Sequence, residues 1–438
     1  MRFNGVYGSA KGSAQTPNKT NMNPRIIALL AVLASAEQAL AGDPVGIAGH
    51  PGKTPAVRAH APGHFGDNRP YVPSVLTRYG DPLPGLTAAQ LNLFLDGKDD
   101  FEHVEDVAGG LGPIFNRDSC VACHSSPATG GASAINVTRF GLTVNGKFDS
   151  LDSLGGSLLQ ENAITPEAQE LVPSLANVVI QRNSTPLFGL GLIDAIPDSE
   201  IARNAKAYPN ERIKGRVGWV TDIVSGKRKA GRFGWKAQQA TVLGFAADAY
   251  RNEMGVTNRY FPTENAPNGD LVRLAKTDFV QDPEDAPATG LADFEKVANF
   301  MLFLAPPPVN KPTPATASGR MLFDAAACSL CHTPSMRTGY SKIAALNNKE
   351  VRLYSDLLLH VMGSLGVGIV QETATGREFR TPPLWGAAGS APYLHDGRAA
   401  TIDEAIKAHD GEGKVSKDRY LKMNKTQQKL LSDFVLSL

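Results

Sequence analysis

The chain has 438 residues, enough for two or three domains with a sizeable core, and only four of them are cysteine, which excludes a small disulfide-stapled scaffold. Lys+Arg 44 against Asp+Glu 43 gives a net charge of +1, so no phosphate-tracking surface is indicated and no nucleic-acid partner is expected. With 42% hydrophobic and 20% charged residues the bulk is globular, and 43 Gly and 30 Pro point to many loops.

In chain order, residues 1–21 are polar, with nothing to bury. From Met22 the character changes: Arg25, the apolar run 26–34 (IIALLAVLA) and Ala39-Leu40-Ala41 before Gly42 read as a secretory signal peptide. Nine apolar residues are too few for the roughly 20 that span a bilayer, and no later stretch is long enough. Residues 1–41 are therefore a leader and signal peptide, and the mature protein is expected to be exported to an oxidising compartment such as the periplasm, with no stable membrane span. Residues 42–84 are rich in Gly, Pro and His without periodicity, an irregular arm. A helix is predicted to open near Thr87 as N-cap. The body runs to about residue 305, and the Pro/Thr/Ala-rich stretch 306–318 reads as a linker. Residues 319–438 form a second unit with a helix at its start (319–327) and another at its end (424–436).

All four cysteines fall in Cys120-Val121-Ala122-Cys123-His124 and Cys328-Ser329-Leu330-Cys331-His332. Each is the C-x-x-C-H pattern of c-type haem attachment. Two thiols about one helical turn apart can add to two vinyl groups, and the adjacent His faces the iron. The alternatives are a structural zinc site, which wants its pairs close together, a thioredoxin-like pair, which wants a βαβ setting, and plain disulfides. Two copies behind an export signal favour two covalently bound haem c. The fold class expected is mainly α, with two cytochrome c-like domains (42–305 with the arm, and 319–438), haems near their interface and a little strand in the connections.

Besides His124 and His332, the histidines are His50, His60, His64, His103, His360, His395 and His409; none lies between His124 and His332. A sixth ligand for the first haem must then come from the arm or from Met, Lys or Tyr, whereas the second haem has three downstream candidates. One iron is thus expected to be closed and the other open.

Five blocks carry a wider resemblance: FNRDSCVACH (115–124), QRNSTPLFGLGLIDAIPD (181–198), FGWKAQQATVLGFAADAYRNEMG (233–255), YSDLLLHVMG (354–363), and REFRTPPLWG with APYLHDGRAATIDEAIKAH (377–409). The sequence resembles the di-haem oxidoreductase family, also labelled thiol oxidoreductase, of the di-haem cytochrome c peroxidase superfamily. The resemblance implies that the residue fourteen after His395, His409, is the distal ligand of an electron-storing second haem; standing alone it would read as a surface helix residue. His395 is expected to order its loop by hydrogen bonds, and His360 to be a rival ligand or a propionate partner. Glu253, in Glu253-Met254-Gly255, matches the carboxylate over the open first haem, a general acid–base for O–O cleavage, although alone it reads as a solvated helix end. Gln239 would line the same pocket. Trp235 matches the tryptophan between the haems, a relay or simply a buried core residue. Asn183 with the carbonyls of Ser390 and Pro392 falls where relatives hold calcium. Met254 is either an iron ligand or core filling. The implied function is an oxidoreductase whose first haem meets peroxide or O₂ while the second stores electrons drawn from a small redox protein or a quinol. The competing readings are an electron-transfer cytochrome with no substrate of its own and a di-haem oxygenase.

Overall fold

Thr87 opens the first helix, α1 (Ala88–Glu102), through a reciprocal cap: its hydroxyl accepts from Gln90 N at 3.3 Å while its own N–H donates to the Gln90 side chain at 3.0 Å. The computed structural model describes residues 77–280, 282 and 290–438. The leader and signal segment and most of the 42–84 arm lie outside the described residues.

The same packing device recurs in the two halves. Helix α1 crosses α3 (Asp293–Phe303) at Gly97, where an added Cβ would stand 1.9 Å from Lys296 O, so only glycine permits this contact. Phe94 and Phe101 meet Phe300 there, with ring centroids at 5.2 and 4.8 Å. In the second half α4 (Pro314–Ala325) crosses α6 (Lys425–Val435) at Gly319, where a Cβ would be 2.1 Å from Leu430 O. Phe323 meets Phe434 at 5.4 Å. Each pair seats in its own hydrophobic cluster, one containing Phe94, Phe101 and Phe300 and the other Phe323, Leu431 and Phe434. The described residues nonetheless belong to a single compact unit.

Between the paired helices lie α2 (Val242–Ala249), continued by a π-turn at Tyr250–Met254, and α5 (Ile402–Ala408). The N-caps are Thr241, Thr313, Thr401 and Asn424, each accepting a backbone N–H of the first turn. The 306–318 stretch is only partly a linker. Thr313 caps a helix whose first residue is Pro314, a position where the missing N–H of proline costs nothing.

Helix is also a smaller share than expected, about 33% of the chain. The described residues carry an antiparallel three-stranded sheet with β1 (Asn136–Val144) in the centre, flanked by β2 (Lys147–Asp149) and β3 (Val178–Asn183), and several two-stranded ribbons. β1 and β3 are rich in Val, Ile and Thr, which favour the pleated conformation. Their register pairs Asn136 with Asn183 and Arg139 with Ile180. One ribbon, β4 (Leu359–Val361) with β5 (Glu378–Arg380), sets His360 opposite Phe379.

Candidate functional site

The two Cys-x-x-Cys-His segments have one local geometry. In the first, His124 N donates to Cys120 O at 3.1 Å and Cys123 N to the same carbonyl at 3.2 Å; in the second, His332 N and Cys331 N reach Cys328 O at 2.9 and 3.3 Å. One tight turn therefore projects both thiols and the imidazole together. Each imidazole faces a phenylalanine of the preceding helix: Phe101 to His124 at 6.3 Å and 58°, Phe323 to His332 at 6.4 Å and 56°. None of the four cysteines is in a disulfide, and burial pushes the thiols up, Cys120 and Cys328 to about 12 and Cys123 to about 11.

Three histidines share a second property. Nδ1 of His124 lies 3.0 Å from Gly131 O, Nδ1 of His332 3.0 Å from Tyr354 O, and Nδ1 of His409 2.8 Å from Ala405 O. A carbonyl can only accept, so Nδ1 carries the proton and Nε2 keeps its lone pair, the arrangement that orients an imidazole toward a metal. Burial lowers the pKa of all three, His332 to about 4, so they stay neutral and able to coordinate at neutral pH.

His409 ends α5 and lines the same cavity as Cys328, Cys331 and His332. It is close enough that its charge would depress His332 further. Trp235, Phe379 and His395 line that cavity too. The Trp235 indole donates to Asn183 O at 2.9 Å and meets Phe379 and His395 edge-on at 6.5 and 6.3 Å.

His360 is no rival ligand. Its Nε2 donates to Asp356 at 2.9 Å and its Nδ1 to Glu412 at 2.7 Å, so both nitrogens carry protons and neither offers a lone pair. Burial alone would lower its pKa, but Asp356 and the hydrogen bonds around it hold it well above the ordinary value. His395 orders its loop differently from the sequence expectation. Its ring stacks on Phe379 at 4.4 Å, its backbone carbonyl accepts from Asn183 N at 2.7 Å, and its buried Nε2 has no hydrogen-bond partner.

Glu253 stands on the π-turn, a helical irregularity common at functional sites. Gly255 ends the turn at φ 72°, and its backbone touches Gly112, which fixes the Glu-Met-Gly segment against the chain leading into the first cysteine motif. Asn116, from that same approach, donates Nδ2 to Glu253 Oε2 at 2.8 Å and its N–H to Glu253 O at 2.7 Å. Burial raises the Glu253 carboxyl, against the lowering effects of Asn116 and Arg139. Its charge in turn raises the Cys123 thiol, placing it beside the first motif.

Three residues that the sequence did not single out complete this group. Asp248, raised by burial, accepts from Asn252 at 2.9 Å and bonds Gln239. Arg139, whose Nη1 donates to Ser157 Oγ at 3.1 Å, interacts electrostatically with both Glu253 and Asp248. Asn116 lay inside the quoted FNRDSC block, and Asp248 precedes Glu253 by about one turn; Arg139 has no local signal. Met254 is 4% exposed and belongs to the hydrophobic core around α1 and α3. His103 carries a 63% exposed side chain on the surface. His50, His60 and His64 lie outside the described residues.

Asn183, Ser390 and Pro392 border the same cavity as His332 and His409. The Asn183 amide donates to Ser133 O at 2.9 Å and Asn136 Oδ1 at 3.2 Å, which turns its own oxygen the other way. An amide oxygen with two carbonyls is a donor set suited to a hard cation.

Residues 159–438 match the family model described as "Di-haem oxidoreductase, putative peroxidase". The match covers four of the five sequence blocks and begins after the first Cys-x-x-Cys-His. No curated protein is matched by the chain. Among solved structures, Kuenenia stuttgartiensis hydrazine synthase is similar at 14% identity and TM-score 0.37, covering 89% of this chain and 100% of that one. A MauG-like protein associated with microbial copper homeostasis has 14% identity and TM-score 0.37, covering 84% and 94%. A variant of the diheme peroxidase BthA from Burkholderia thailandensis has 12% identity and TM-score 0.34, covering 79% and 85%. At such scores the likeness is too loose to bear on individual residues. No helix of the described residues is long and apolar enough to cross a membrane.

Proposed function

Because the chain belongs to the di-haem oxidoreductase family, a family of haem-dependent, peroxidase-like oxidoreductases, we propose that it is an exported enzyme that reduces peroxide or O₂ at one haem and stores electrons at the other. The first haem is attached by Cys120 and Cys123 with His124 as ligand, the second by Cys328 and Cys331 with His332 and His409 as ligands. The two attachment motifs stand on either side of the 306–313 connection, and each would hold its haem against its own helix pair. The haems, when bound, supply iron that changes valence one electron at a time and delivers those electrons to the oxidant.

The observation that carries the reading is an asymmetry of side chains. Two neutral imidazoles with free Nε2 atoms border one cavity, whereas one imidazole and a desolvated carboxyl stand at the other centre. An iron with two imidazoles has no position left for a substrate, and one with a single imidazole does.

At the first centre burial shifts Glu253 toward its protonated form, and Asn116 positions the carboxyl. A group poised this way takes a proton from an oxidant and returns it to the leaving oxygen. Gln239 and Asp248 form a second hydrogen-bonded pair whose charge acts on Glu253, and Arg139 supplies positive charge beside both carboxyls. Trp235, fixed by its bond to Asn183 and packed on Phe379 and His395, is an aromatic stepping point for electrons passing between the two centres. Asn183, Ser390 and Pro392 hold calcium through oxygen atoms. The electrons come from a small redox protein or a quinol.

The test is peroxide consumption by the haem-loaded protein with a chemical reductant, in wild type and Glu253→Gln, after pyridine haemochrome spectra have established two covalent haems. Turnover that depends on Glu253 supports the reading; a di-haem protein that leaves peroxide untouched refutes it.

A further inference from the structure

Four nitrogen-bearing side chains gather around the Phe379 ring. His395 stacks on it at 4.4 Å with planes 20° apart, Lys236 Nζ lies 4.2 Å from its centroid and Arg182 Cζ 5.3 Å, while Arg380 follows it in β5. All four are buried, with exposures of 3, 1, 5 and 5% respectively.

The carboxylates within reach are committed elsewhere. Both Glu378 oxygens accept from Arg216 at 2.6 Å, Asp396 accepts from Arg398 Nε at 2.6 Å, and Asp356 is held by His360. Lys236 donates to the carbonyls of Thr375 and Glu378, and Arg380 to those of Gly234 and Thr381. Arg182 Nε and Nη2 and His395 Nε2 have no hydrogen-bond partner; the nearest anion is Asp396, whose Oδ2 lies 3.6 Å from His395 Nε2 and whose charge also acts on Arg182. Burial pushes the Arg182 guanidinium down to about 9, and burial plus the nearby Arg182 pushes Lys236 down to about 7. Buried donors and cations in a folded protein are paired, and the single carboxylate of Asp396, already bonded to Arg398, leaves this cluster short of an acceptor.

The missing partner has a definable chemistry. A guanidinium fork, a ring N–H and an ammonium on one aromatic ring suit a planar group with two acceptor oxygens, which is a carboxylate. Arg380, Phe379 and His395 line the cavity that also holds Cys328, Cys331, His332 and His409. We propose that Arg182 and His395, backed by Arg380 and Lys236, receive a propionate carboxylate of the haem attached at Cys328 and Cys331. The inference rests on the haem reading above and adds to it the residues that anchor the acidic edge of the second haem. A free anion such as chloride or phosphate would satisfy the same donors.

The experiment is spectroelectrochemical titration of both haems in the holoprotein, with Arg182→Met, Arg182→Lys and His395→Gln, after pyridine haemochrome and peptide mass analysis of haem content. Arg182 makes no side-chain hydrogen bond to the protein, so a purely structural role predicts that Arg182→Met leaves the potentials alone. The clamp predicts that losing this cation shifts the second haem's equilibrium roughly tenfold toward ferric iron, about 59 mV for a one-electron couple. Arg182→Lys recovers most of the shift, the first haem moves less, and His395→Gln shifts the second haem in the same direction by a smaller amount. Wild-type potentials stay constant when chloride or phosphate is exchanged for an excluded anion at fixed ionic strength. Unchanged potentials in both Arg182→Met and His395→Gln at full haem content overturn the clamp but leave the enzyme reading intact. Potentials that follow added phosphate or chloride assign the cluster to a free anion and also overturn it. Should Arg182→Met fail to load haem, His395→Gln decides alone. Wild-type chain without haem on Cys328 and Cys331 overturns the function and the clamp together.

Discussion

His124 and His332 each close a one-turn Cys-x-x-Cys-His segment, each pass Nδ1 to a carbonyl 3.0 Å away, and each face a phenylalanine of a helix pinned at a glycine crossing. Beyond that their surroundings part. His332 shares a cavity with His409, delivered by α5; the Asp356–His360–Glu412 set stands beside Cys331, and the buried nitrogens Arg380 and His395 line the cavity with Arg182 and Lys236 packed on Phe379. His124 has no such second imidazole among the described residues, and the carboxyls near it, Glu253 and Asp248, interact with Arg139 instead of a histidine. The Cys-x-x-Cys-His geometry is thus built by local sequence and repeated, while its surroundings are set by what remote chain segments bring. A second imidazole suits a centre to holding electrons; a desolvated carboxyl with a raised pKa suits one to moving protons.

Breaking each side separately tests that division. The largest effect belongs to His409→Ala: the low-spin electron paramagnetic resonance signal of the second haem is lost and the first haem's spectrum is unchanged. A change confined to the first haem would reassign the ligand. Next is Glu253→Gln, for which peroxide turnover falls by about 10²–10⁴-fold at unchanged haem content, the usual share of a general acid–base.

The same substitution carries a pH signature. Burial raises the Glu253 pKa in the folded state, so between the ordinary carboxylate range and that raised value the folded chain binds more protons than the unfolded one. Glu253 therefore lowers stability as pH rises through this window. Denaturant titrations at acid and neutral pH should show a smaller loss on going to neutral pH in Glu253→Gln than in wild type.

Smaller still are the helix crossings. Gly97→Val and Gly319→Val each force a side chain against a facing backbone carbonyl and should cost about 1–3 kcal/mol in urea unfolding, each disturbing first the haem spectrum of its own half. The smallest is Thr401→Ala. It removes the hydroxyl that accepts Glu404 N at 3.2 Å at the start of α5, costs about 1 kcal/mol, and loosens His409 without touching it.

What could be read in the sequence was whatever is written locally. The thiol and imidazole spacing, the caps at Thr87 and Asn424, and the placement of His409 and Glu253 within quoted blocks all concern residues a few positions apart. The remainder depends on pairings that local sequence does not encode. Asn116 reaches Glu253 across 137 positions, and Arg139 sits in a strand whose pattern reads as ordinary sheet. The sheet itself was underestimated because the abundant Gly and Pro read as loops, and the 306–318 linker was overextended because Thr313-Pro314 is a helix start written in linker-like residues. His360 and His395 were candidates by identity alone; only their partners, two carboxylates for one and an aromatic ring for the other, separate them from His409.

The division of labour is tested most directly by resonance Raman and electron paramagnetic resonance spectra of the isolated ferric protein, before and after addition of peroxide. The two neighbourhoods predict one high-spin haem that responds to peroxide and one low-spin haem with two imidazole ligands. Two six-coordinate low-spin haems, both indifferent to peroxide, would contradict it.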